Sequence, residues 1–290
     1  MGTRKDLSIA DVNQLTRDMA EACDRVLELF GTLGEDQLWG PELDIVNPAT
    51  WEAGHVAWFF EYWLLRNLYE TQMVIPDADD LYNSADVAHD DRWKIRLPSK
   101  TETMQFLQYV LGESTRRLRT STPTTVDAYF FRLATFHADM HAEAFSYTRQ
   151  TLGYRRPSLN IPKVDSVDMY GGTIELAEDI PVSGGVFMLG ASPDEAFVFD
   201  NEKWAHPVYV PPFTMSRTSV TYGEFRQFVE DRGYDRPEFW SEEGWSWRVQ
   251  NQADRPAYWI KHADGQWLIR SYDEVIPMPD NATLIHINWY

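Results

Sequence analysis

At 290 residues and 43% hydrophobic side chains, the chain is long enough for two domains of ordinary size, each with its own core. Its net charge of −19 excludes a nucleic-acid partner, because phosphate binding draws on Lys and Arg, and its one cysteine, Cys23, excludes an internal disulfide and any cysteine-rich zinc site. The longest apolar runs, residues 56–60 and 63–65, are cut by Glu61 and Arg66 well short of the ~20 residues of a membrane span, and residues 1–11 lack the apolar core of a secretory signal, so a cytoplasmic protein is predicted.

The first half reads as four helices. Residues 8–30 open on Ser8 and Asp11, a capping-box pattern, and repeat Leu15, Met19, Ala22, Val26 and Leu29 at helical spacing up to Gly31. Pro48 opens the second helix, with Thr50 as its cap, and Trp51, His55, Trp58, Phe59, Tyr62 and Leu65 share one face up to about Tyr69. A connection over residues 71–98 follows, longer than bundle loops usually are, and loops of that length tend to be functional. Ser99 and Glu102 form a second capping box ahead of Met104, Leu107, Leu111 and Leu118. Pro123 breaks the chain before a fourth helix over residues 126–152, whose stripe of Phe130, Leu133, His137, Met140, His141, Ala144 and Thr148 is expected to face the bundle axis, and Gly153 stops it.

Beyond Arg155 the pattern changes. Pro157, Pro162, Pro181 and the glycine pairs Gly171-Gly172 and Gly184-Gly185 punctuate short β-branched or aromatic runs, which predicts a mostly β or irregular second domain. One short helix over residues 222–231, with Phe225, Phe228 and Val229 on one face, is the exception. The predicted class is α+β: a helical bundle over residues 1–155, a linker over 156–170 and a second domain over 171–290.

The residues that carry chemistry are histidines. His137 and His141, four apart, stack on one face of a helix within reach of a single ion. Chance supplies about 0.17 such pairs in a chain with seven histidines, so the third one decides. His55 sits on the inward face of a different helix, and bundles build metal sites from facing helices. Three neutral imidazoles leave coordination positions open, which points to a catalytic rather than a closed structural site, while iron, zinc and nickel all remain open on spacing alone. Glu61, Asp139 and Glu143 lie near these histidines and could orient a ring by accepting its second N–H.

The run over residues 47–61, centred on Trp51-Glu52-Ala53-Gly54-His55, resembles the first histidine motif of the ergothioneine-forming sulfoxide synthases. His137-Ala138-Asp139-Met140-His141 resembles their second. Those enzymes pair a DinB-like four-helix bundle with a domain like the formylglycine-generating enzyme, of C-type-lectin-like fold. The second half is similar to that domain in Gly184-Gly185-Val186-Phe187-Met188-Leu189-Gly190, Pro211-Pro212-Phe213-Thr214-Met215, Val220-Thr221-Tyr222-Gly223-Glu224-Phe225 and Gly244-Trp245-Ser246-Trp247. The wording around His55 and the segment over residues 81–93 look more like the selenoneine synthase branch.

The resemblance implies a non-haem Fe(II) enzyme that uses O2 to join a sulfur or selenium donor to the imidazole C2 of hercynine, Nα-trimethylhistidine. His55, His137 and His141 would be the iron ligands. Met140 stands where the sulfoxide synthases often have a glutamine that contacts substrate, which implies a substrate-binding position. His286-Ile287-Asn288-Trp289-Tyr290 resembles the middle of the family's second domain, so the chain is expected to hold only part of it. Much of the hercynine pocket and a catalytic tyrosine would then fall outside these residues, the catalytic residues are unassigned, and little turnover is expected of the 290 residues alone. Two other readings stand beside this one. A DinB-like thiol transferase or isomerase would use zinc or nickel in the same triad to hold a thiolate. A binding module would have structural histidines and a lectin-like aromatic second domain.

Overall fold

A computed structural model describes residues 5–159 and 179–290. Residues 160–170 of the predicted linker and the Gly171-Gly172 pair lie outside them. The chain divides into two compact units: the described residues up to 159 together with Gly190–Ala205, and residues 179–189 together with His206–Tyr290.

Helix α1 (Ile9–Gly31) starts on the predicted box, with Ser8 Oγ accepting from the Asp11 amide at 3.2 Å and the Asp11 carboxylate accepting from the Ser8 amide at 3.1 Å. It buries Leu15, Met19, Ala22, Cys23, Val26 and Leu29 against α5 (Lys100–Thr120) and α6 (Thr125–Leu152). Helix α5 opens on the predicted Ser99–Glu102 box. Helix α6 opens on a third box, Thr124 with Asp127, and closes on Gly153 in the left-handed conformation at φ 67°.

Helix α2 (Ala49–Phe60) is the most enclosed element, and every residue of it except Phe59 is buried. A helix apolar all round belongs in a core, and α2 packs against both α5 and α6, closing a four-helix bundle. Its cap is Pro48 and not Thr50, which lies inside the first turn with its side chain buried. The helix runs on through a π turn (Glu61–Arg66) and a last turn α3 (Asn67–Tyr69), ended by Glu70 at φ 51°. The long connection carries α4 (Ala78–Tyr82) and a 3-10 turn (His89–Trp93).

The face of α6 that meets the core runs through Ala128, Phe131, Ala134, Ala138, Ala142 and Phe145. Four of these six residues are alanines. This face is rotated from the stripe predicted in sequence, so Met140 is half exposed while the two histidines lie along the edge of the packed face.

In the second unit β1 (Asp179–Val182) pairs antiparallel with β4 (Phe213–Ser216), β2 (Gly185–Leu189) with β3 (His206–Val210), and β5 (Trp259–Lys261), β6 (Trp267–Ser271) and β7 (Glu274–Pro277) form a meander. Tyr222, Trp259, Trp267, Ile269 and Leu284 make a small core under α7 (Tyr222–Glu230), close to the helix predicted at 222–231. A second helix, α8 (Glu242–Asn251), was not predicted. In sequence, Gly244-Trp245-Ser246-Trp247 carries only a resemblance to the second domain. Ser241 nevertheless caps the turn by accepting from the Gly244 amide at 3.0 Å, and Gly244 leaves room for the Tyr290 ring. The whole is an α+β protein, helical first and sheet-containing second.

Candidate metal centre

The bundle brings the three predicted histidines together. Nε2 of His137 lies 3.2 Å from Nε2 of His55 and 3.0 Å from Nε2 of His141. One ring nitrogen from each of the three falls within 4.8 Å of the others. His55 comes from the middle of α2, and His137 and His141 from adjacent turns of α6.

The far nitrogen of two rings is already committed. His55 Nδ1 sits 2.7 Å from the Tyr82 carbonyl oxygen, which can only accept, so Nδ1 carries the proton and Nε2 a lone pair. His141 Nδ1 sits 2.6 Å from Glu52 Oε1 and donates to it in the same way. Nδ1 of His137 is buried and has no partner among the described residues. Two lone pairs therefore face His137 Nε2, and a single proton there could satisfy only one of them.

A cation at the centre removes that repulsion. Imidazole nitrogens at ~2.0–2.1 Å from one ion sit about 2.9–3.4 Å apart along the edges of an octahedron or tetrahedron, and the two measured separations fall inside that range. Two of the three ring pairs thus stand at the separation of ligands to one ion, and all three nitrogens lie within 4.8 Å of one another.

Aromatic packing fixes the ring planes. His55 lies between Trp51, parallel to within 8° at 4.8 Å, and Trp58 at 5.6 Å. Phe59 stacks on His137 at 3.6 Å. Burial, reinforced by neighbouring His141, pushes the His55 ring down to about 4, and burial pushes His137 well below the usual histidine range, so both are neutral donors at physiological pH. Burial alone would raise the Glu52 carboxyl, but its hydrogen bonds from His141 and Asn47 outweigh burial and keep it ionised.

The orienting groups differ from those suggested by sequence proximity. Glu61 is buried, but its Oε1 accepts from the Val74 amide and touches no histidine. Asp139 pairs with Arg25, and Glu143 is exposed. The groups that do the orienting are Glu52 and the Tyr82 carbonyl. The one available signal for Glu52 is an acid inside an otherwise apolar helix; a carbonyl leaves no signature at all.

Beside His55 and His137 opens a cavity of about 430 Å³ lined by Trp58, Phe59, Tyr62, Trp63, Asn83 and Ser84. Asn83 and Ser84 come from the long connection, which therefore supplies both a wall of the cavity and the carbonyl that holds His55. Among the described residues no helix is long and apolar enough to cross a membrane.

Comparison with known proteins agrees with the two-part reading. Residues 18–146 match the DinB superfamily, and residues 169–290 match the sulfatase-modifying factor enzyme 1-like domain. The chain is 29% identical over 268 residues to the hercynine oxygenase of Mycolicibacterium smegmatis, covering 91% of this chain and 60% of that protein. It is 27% identical over 280 residues to the hercynine oxygenase of Mycobacterium tuberculosis, with 96% and 64% covered. A third such protein, from Mycolicibacterium thermoresistibile, is 28% identical over 289 residues. The chain thus spans about three fifths of the length of the curated relatives it matches. By these matches the chain joins a DinB-superfamily region to a sulfatase-modifying-factor-like domain and is similar along most of its length to hercynine oxygenases.

Proposed function

We propose that the chain is the metal-binding part of a non-haem Fe(II), O2-dependent synthase that joins a selenium or sulfur donor to the imidazole C2 of hercynine. The observation that carries this reading is the triad: three converging imidazoles with Nε2 separations of 3.0 and 3.2 Å, beside an open aromatic cavity. The names of the relatives support hercynine as the substrate.

In this reading His55, His137 and His141 would be the protein's ligands to the iron, three donors being too few to fill its coordination. When bound, the metal supplies one-electron chemistry with O2. Glu52 and the Tyr82 carbonyl keep the His141 and His55 protons on Nδ1, so that Nε2 is always the donor. Trp58, Phe59, Tyr62 and Trp63 exclude water from one side and offer ring faces that attract a trimethylammonium group. Asn83 and Ser84 supply polar groups for the polar end of the same molecule. Met140, half exposed on α6 one residue before His141, is proposed as a further substrate contact.

Metal analysis of anaerobically purified protein, followed by oxygen uptake with and without hercynine, tests the reading. One Fe2+ per chain and uptake that requires both iron and hercynine, however slow, is the expected result. Stoichiometric zinc with no oxygen uptake would replace it with thiol-transfer chemistry on the same triad.

A further inference from the structure

Two ligands of the triad are held through chains of contacts that meet at one side chain on the long connection. Arg92 Nη1 donates to Asn47 Oδ1 at 2.7 Å. Asn47 Nδ2 donates to Glu52 Oε2 at 2.7 Å, and Glu52 Oε1 accepts from His141 Nδ1 at 2.6 Å. The same guanidinium lies over the Trp51 ring, its Cζ 3.9 Å from the ring centre, and Trp51 in turn stacks on His55. The Trp51 indole N–H is pinned by the Leu81 carbonyl at 2.9 Å, next to the Tyr82 carbonyl that holds His55 Nδ1.

Arg92 sits there at a cost in stability. Its Nε is buried without an acceptor, an arrangement that folding by itself disfavours. A lysine could not reproduce it, because only the planar guanidinium can stack on an indole and donate in its own plane to Asn47 at once.

We propose that Arg92 is a positioning residue for the metal centre, acting on His141 through Asn47 and Glu52 and on His55 through Trp51. The proposal rests on the reading of the triad as a metal site. It makes the long connection part of the metal centre, since the residue that couples two ligand arms belongs to neither helix that carries them. Removing a group of this kind weakens metal binding about 10- to 100-fold in other sites.

The test is Co2+ titration of the 290-residue chain, read by visible absorption, on wild type, Arg92→Ala, Arg92→Lys, Asn47→Ala and the Arg92→Ala/Asn47→Ala pair, with far-ultraviolet circular dichroism as the check on folding. Arg92→Ala should bind Co2+ about 10- to 100-fold more weakly with altered band intensity, and Arg92→Lys should also bind more weakly than wild type. The double variant should lose less than the product of the two single losses, because part of the arginine's effect runs through Asn47. Unchanged affinity and spectrum in folded Arg92→Ala, or in Arg92→Lys should the alanine variant not fold, overturns the proposal while leaving the triad intact. Fully multiplicative losses would show that the arginine acts elsewhere and overturn it too. No Co2+ binding by wild type would remove the metal-site reading and this proposal with it.

Discussion

In the bundle, Phe30, Trp51, Phe60, Tyr82, Phe131 and Phe145 are fully buried and meet in one core. In the second unit Val186, Phe187, Met188, Tyr209, Phe213 and Met215 stand on strands with much of their surface open. The contrast lies in what each architecture can enclose. Helices α1, α4, α5 and α6 pack on α2 and bury all of it except Phe59, so rings on α2 and α6 are held from several directions at once. Two-stranded sheets such as β2–β3 bury neither face, and among the described residues the buried core of the second unit reduces to five. A metal centre needs donors held to tenths of an ångström, and only the first kind of packing supplies that.

Substitution of core aromatics should expose the contrast most strongly. Trp51→Ala removes a fully buried indole and the ring that stacks on His55, and should cost about 3 to 5 kcal/mol in urea unfolding followed by helical circular dichroism. Metal affinity should fall with it. Loss of stability without loss of affinity would separate packing from the site and weaken the account.

A smaller effect is expected at Gly54. A Cβ there would lie 2.2 to 2.6 Å from atoms of the Tyr82 ring, so Gly54→Ala must push that ring and the backbone behind it away from α2. Overpacking of this kind costs about 1 to 3 kcal/mol, more than alanine's better helix propensity returns. Because the Tyr82 carbonyl orients His55, Co2+ affinity should drop as well; a more stable variant with normal affinity would contradict the role given to Tyr82.

Stability of the metal-free bundle should depend on acid in a defined direction. The folded His55 ring sits at about 4 against an ordinary value of 6.5, so the unfolded chain takes up a proton the folded one does not. Stability is then full above about pH 6.5 and falls progressively as the pH drops toward 4. Urea midpoints of the bundle at pH 7 and pH 5 check this, and a higher midpoint at pH 5 would reverse the sign.

The least effect belongs to the open strand face. Val186→Ser, at a side chain 72% exposed, should change stability by no more than about 0.5 kcal/mol. A loss of 2 kcal/mol or more would mean that this face is covered in solution.

Much of the bundle was legible in the chain. Ser8 with Asp11, Ser99 with Glu102 and Gly153 are local signals, and the structure uses each as such. The three histidines were legible because helical spacing is itself a spatial statement. Glu52 was not read as a ring partner, since its pairing with His141 spans 89 residues. Tyr82 contributes a carbonyl, which every residue has, and Arg92 acts through two intermediates. Helix α8 escaped because glycine and tryptophan argue weakly for a helix, while the Ser241 cap and the Tyr290 ring against Gly244 favour one. The inward face of α6 runs mostly through alanines, which a search for large apolar residues misses.

The central claim is that the bundle holds one metal ion on His55, His137 and His141. Anaerobic equilibrium dialysis of the 290-residue chain against Fe2+, beside His137→Ala, tests it most directly. The account predicts one ion per wild-type chain and at least a ~100-fold loss of affinity in the variant, with the helical circular dichroism of the two proteins superimposable, since the ligand supplies coordination and little core volume. Iron retained by His137→Ala at the wild-type level would contradict it.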